Sequence, residues 1–183
     1  MFIRPLYAVR ATAACTCLIA GLVPRFTTTV HGQNSAPPPC EAASVITIDQ
    51  IGDAELAGAV ARAARGAQRR LRRDTCERVI DVFATTSGRP VRDVLADLQA
   101  TAPAALSRVI FRDGQQSPSC RGSVAAFTGA GSRVVFVCGK VFARIDRAAT
   151  ELIVIHELLH TLGVGERPPR SNEIDQAVAT HCH

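Results

Sequence analysis

The sequence predicts an α+β domain: a helical N-terminal half, a small sheet of about three to four strands, then two helices. Three observations carry that prediction. Helix-forming residues with apolar positions at helical spacing fill the chain from residue 54 to about residue 101. The pattern then switches to short β-prone runs between residues 108 and 138, and helical spacing returns near residue 148. With 183 residues, 47% of them hydrophobic, the chain can build one domain core and is short for two.

The first 32 residues read as an export signal. Arg4 and Arg10 supply a positive start, Ala11 to Val23 an apolar stretch of 13 residues, and Val30 and Gly32 small side chains before a cleavage point. That stretch is shorter than the ~20 residues a membrane-crossing helix needs, so no stable membrane insertion is expected once the signal is removed. Residues 33–183 are then a single domain that opens with a Pro-rich leader. Ser44 to Ile48 is β-prone. Ala54 to Arg73 is rich in helix formers and ends on basic residues, which suit a helix C-terminus. Cys76 to Phe83 carries Val79, Ile80 and Phe83 on one helical face, and Gly88-Arg89-Pro90 breaks it. Val91, Val94, Leu95 and Leu98 predict a helix from Val91 to Thr101, ended by Ala102-Pro103.

Strands are expected at Arg108 to Arg112, Val124 to Thr128 and Arg133 to Cys138, with Gly129 to Ser132 as a hairpin turn. Val134 to Val137 is apolar on both faces, which predicts cover on both sides. A short helix over Val141 to Ile145 precedes a long one from about Ala148 to Leu162. After Pro168-Pro169 a last helix is expected from Glu173 to Thr180, with Asn172 as its N-cap.

Cysteine usage agrees with export to the outside or the cell envelope. Once the signal leaves with Cys15 and Cys17, five well-spaced cysteines remain, enough for two disulfides and a spare thiol. The preferred pairs are Cys120 with Cys138 and Cys76 with Cys182, leaving Cys40 of the leader. Net charge is +5. Residues 1–32 hold Arg4, Arg10 and Arg25 and no acid, so without them 18 Lys and Arg face 16 Asp and Glu. An excess of only +2 argues against a nucleic-acid partner.

The informative stretch is His156-Glu157-Leu158-Leu159-His160 inside the long helix. Residues four apart project from one helical face, so His156 and His160 can share one Zn²⁺, with Glu157 beside them as a base. A chain with five His and seven Glu holds such a pentad by chance roughly 0.005 times. Two histidines and a glutamate in a buried helix need something that compensates their polarity.

His156-Glu157-x-x-His160-x-x-Gly163-x-x-Glu166 resembles the extended motif of the zincin metallopeptidases, in its metzincin-like form. The resemblance covers about eleven residues. It implies a zincin-like domain in which His156 and His160 are zinc ligands, Glu157 is the general base and Glu166 stands in the third-ligand place. The chain departs from that pattern in having Glu at this place and no methionine after Met1, hence no methionine turn. Glu173 is the alternative third ligand, in the manner of the gluzincins, and His181 or His183 is a third option. Tyr7 is the sole tyrosine and lies in the signal, so the donors near the motif are Arg167, Arg170, His181 and His183. A strand beside the active-site helix binds substrate in this clan, and Arg133 to Cys138 is the candidate here. The expected activity is therefore that of an exported, monomeric zinc metallopeptidase, a hydrolase acting on a peptide or protein substrate. The alternative is a non-catalytic exported domain held by metal or disulfides.

Overall fold

Residues 45–183 are described by a computed structural model, and they belong to one unit, Ala42–His183. The signal, the leader with Cys40 and the first residues of the expected domain lie outside the described residues. In chain order the elements are β1 (Thr47–Ile48), α1 (Ala54–Leu71), α2 (Asp74–Glu77), α3 (Val79–Val82), α4 (Val91–Asp97), α5 (Ala102–Leu106) and β2 (Ile110–Asp113). A 3-10 turn at Pro118–Cys120 follows, then β3 (Ala126–Phe127), β4 (Val134–Val137), α6 (Gly139–Phe142), α7 (Arg147–Thr161) and α8 (Ser171–His181). This mixture of helices with one small sheet is the α+β architecture expected.

The sheet runs β1-β2-β4-β3. β1 pairs parallel with β2 and β2 parallel with β4, whereas β3 and β4 form the antiparallel hairpin read from Gly129 to Ser132. Gly131 takes φ 78° at the turn, a conformation glycine adopts without strain. Arg133 to Cys138, expected as the substrate-facing edge, is instead an interior strand. Its hairpin partner covers one side and β2 the other, so the sheet edge on this side is β3. Val135 and Val137 are buried in the core; Val134 and Phe136 are half-exposed, and Phe136 is covered on its outer face by the stacked Phe127 ring at 5.2 Å.

Several helix boundaries differ from expectation: α4 stops at Asp97 rather than Thr101, and α6 lies at Gly139–Phe142 rather than Val141 to Ile145. The stretch after Cys76 is interrupted at Arg78, where bonds tighten to the residue three back, as in Asp81 N–H to Arg78 C=O (3.0 Å). Pro103 opens α5 rather than closing the preceding helix, because its missing N–H costs nothing in a first turn. α8 starts at Ser171 with Arg170 in the N-cap position, and Asn172 lies within its first turn.

α1 packs mainly against α7. Ala63, Ala64, Gly66 and Ala67 give α1 a small-residue face, and α7 returns Val154, Ile155, Leu158 and Leu159 to the same core. A buried carboxylate crosses this packing: Glu151 of α7 accepts from Arg70 Nε of α1 (2.8 Å) and from Arg147 Nε (3.2 Å). Ion pairs that bury a charge must be well satisfied to persist, and this one joins the two longest helices. Both expected disulfides are formed, Cys76–Cys182 and Cys120–Cys138. The first ties the end of α8 to α2; the second ties the 3-10 turn before β3 to the end of β4.

Candidate metal centre

α7 begins cleanly, since the Asp146 side chain accepts from the Ala149 N–H (2.9 Å). Two turns later it places His156, Glu157 and His160 on one face, at 7%, 5% and 4% exposure. The helix ends because Gly163 adopts φ 102°, a left-handed conformation that favours glycine. A side chain here would also strike Thr85, whose Cγ2 lies 2.9 Å from the Cβ position. This turn does two things for the site. It swings the Val164 carbonyl back onto His160 Nδ1 (2.8 Å), and it leads the chain to Glu166, whose Oε1 lies 3.4 Å from His160 Nε2.

The two imidazoles meet at Nε2, 2.9 Å apart. His156 Nδ1 lies 2.7 Å from Asp175 Oδ1 of α8. A carboxylate and a carbonyl only accept, so both Nδ1 atoms donate, and in a neutral imidazole that leaves the lone pair on Nε2. Those lone pairs and the Glu166 oxygen converge on one place, and the donor atoms of all three residues lie within 4.8 Å of one another. Like dipoles at that separation repel unless a positive charge lies among them. A proton on His156 is disfavoured, because burial, and then His160, push its pKa down against the opposing pull of Asp175 and Glu166. His156, His160 and Glu166 could therefore hold a metal ion, and two imidazoles with a carboxylate match the donor set of a zinc site.

Glu157 completes the arrangement. Its Oε2 has no hydrogen-bond partner among the described residues, an expensive condition for a buried carboxylate. Burial, aided by the charges of Glu166 and Asp175, pushes its pKa up to about 8. It faces a cleft of about 520 Å³ shared with His156, His160, Glu166 and Asp175. A cation in the cleft would favour its ionised form.

Of the rival third ligands, the geometry brings only Glu166 to the histidines. Glu173 is occupied in capping α8, where its Oε2 accepts from the Arg170 N–H (2.7 Å). His181 and His183, like Glu173, lie outside the convergent group found among the described residues. Arg167, Arg170, His181 and His183, the donors named from the sequence, do not line the cleft. Asp175 was not singled out by the sequence. It lies 19 residues from His156, and one turn into a helix an aspartate carries no spacing signal of its own.

The cleft wall opposite α7 is β3. The Cys138 N–H bonds the Ala125 carbonyl (2.9 Å), and the register continues Ala126↔Val137, Phe127↔Phe136. Alternation along an antiparallel pair then turns the Ala126 N–H and C=O away from β4, at a residue that lines the cleft. No protein-family model, no curated protein and no solved structure matches this chain.

Proposed function

We propose that the protein is an exported zinc-dependent peptidase of zincin-like design. One observation carries the reading: three metal-type donors and a buried carboxylate, whose Oε2 has no hydrogen-bond partner among the described residues, converge in a cleft walled by an open sheet edge. His156, His160 and Glu166 hold the metal, with Asp175 and the Val164 carbonyl fixing the ring orientations. When bound, zinc supplies Lewis acidity, acidifying water toward neutral pH and polarising a carbonyl. Glu157 takes the proton of the attacking water and returns it to the departing amine, the work of a general base placed beside the reacting atoms. β3 holds the substrate as an added strand through its outward-facing Ala126 groups. Export is supported by two formed disulfides. Among the described residues no helix is long and apolar enough to cross a membrane.

A non-catalytic, metal-stabilised binding domain is the second reading. It is favoured by the absence, among the described residues, of Arg, Lys and Tyr from the cleft lining, the side chains that would steady an oxyanion by charge or a phenolic hydrogen bond. Metal analysis with a peptide-library digest separates the two. The peptidase binds one zinc per chain and cleaves; His160→Ala loses the metal, and Glu157→Gln retains it but loses at least a hundredfold in turnover. Wild-type turnover by Glu157→Gln would overturn the mechanism, and metal without cleavage would favour the binding domain.

A further inference from the structure

The cleft has a charge pattern unlike that of the rest of the chain. The sequence holds 21 Lys and Arg against 16 Asp and Glu, yet among the described residues no Lys or Arg lines this cleft. Its ionisable side chains are Glu157, Glu166, Asp175 and the two histidines. Asp175 and Glu166 keep 66% and 54% of their side chains in solvent, so their charges face whatever enters. With no basic side chain in the lining, these two exposed carboxylates give the cleft an acidic character, and clefts lined by one sign of charge concentrate the opposite sign and repel their own.

A second feature lies on the same helix face. Ile153 precedes His156 by three residues and Glu157 by four, the spacing that puts them side by side. Ile145 and Val124 are further apolar residues of the same cleft lining. Ile145 and Ile153 pack on the core by one side and are half-exposed; Val124 is 37% exposed. Apolar area of this kind gains free energy when a side chain covers it.

We infer that the cleft selects peptide segments that place an apolar side chain against Ile145 and Ile153, carry basic side chains beside it, and contain no acidic ones. This rests on the peptidase reading and names its substrate class.

The test uses the oxidised full chain and a set of otherwise identical peptides carrying Leu, Ser, Lys or Glu at each position around one bond. Cleavage is measured with zinc-loaded protein, and binding, by fluorescence anisotropy, with chelator-treated protein. Peptides with Leu or Lys are expected to be bound and cleaved at least tenfold better than those with Glu, and Leu better than Ser at one position. Val124→Arg, at an exposed rim position, is expected to narrow the Lys-over-Glu preference at least tenfold. Equal handling of Lys and Glu peptides, within twofold, overturns the selectivity and leaves the peptidase reading standing. Discrimination in binding without any cleavage leaves the selectivity standing and removes the peptidase reading. Neither binding nor cleavage removes both.

Discussion

Asp175 and the Val164 carbonyl decide which nitrogen each histidine turns toward the cleft, because each can only accept from Nδ1. In the neutral form the two Nε2 atoms, 2.9 Å apart, are left turned toward the cleft and each other. Groups behind a metal ligand orient it and raise its basicity. On the proposed zinc reading, replacing Asp175 with Ala is therefore expected to lower zinc affinity roughly 10–100-fold, as read by competition with a chromogenic chelator. Asp175→Asn keeps an oxygen that can accept from the same Nδ1 and is expected to retain most of the affinity. Unchanged affinity in the Ala variant would mean that packing alone holds the His156 ring.

At the scale of elements, the site depends on how closely α7 lies against α1. Gly66 is buried in the middle of α1, where alanine would ordinarily add about 1 kcal/mol of helix stability. Here a Cβ would fall 2.1 Å from Glu151 Oε1 and 2.5 Å from its Cγ. Glu151 cannot swing away without leaving Arg70, its partner at 2.8 Å, in a largely buried place. Gly66→Ala is accordingly expected to destabilise by about 2 kcal/mol, the scale of overpacking and a disturbed buried ion pair outweighing helix propensity. Urea denaturation measures it, and a stabilised variant would show that the carboxylate relaxes freely. Helical spacing makes the α1 face legible in the sequence. The need for glycine at position 66 is not, because the atom it avoids belongs to a residue 85 positions away.

For the molecule as a whole, the long-range constraint is Cys76–Cys182, which spans 106 residues. Arg70 and Arg73 add to it by donating to the Cys182 carbonyl at 2.6 and 3.0 Å. Closing so long a loop restricts the unfolded chain, and the paired substitution of both cysteines by serine is expected to cost about 4 kcal/mol, measured by denaturant unfolding. The same bridge anchors α8, the helix that presents Asp175 to His156. The serine pair is thus expected to bind zinc more weakly than the oxidised wild type even under conditions where both are folded. Equal affinity would mean that α8 docks through Ile174 and Val178 alone.

Much of this protein can be read along the chain, because the physics involved is local. Helical spacing places His156, Glu157 and His160 together; glycine at 163 and 131 marks turns that other residues would strain; the strand runs also follow from pattern, whereas the two preferred cysteine pairs needed the fold to choose them among the possible connectivities. What neighbours in sequence cannot determine is which of several distant groups arrives at a given point. Glu173 and Glu166 are both acidic and both near the motif. Only the folded chain commits Glu173 to capping α8 and leaves Glu166 at the histidines. Strand order likewise depends on β2 reaching β4 from 24 residues away, which leaves β3 rather than β4 at the sheet edge beside the cleft. Asp175 joins the site only because α8 folds back on α7, a packing of apolar faces that carries no residue-specific mark in the sequence.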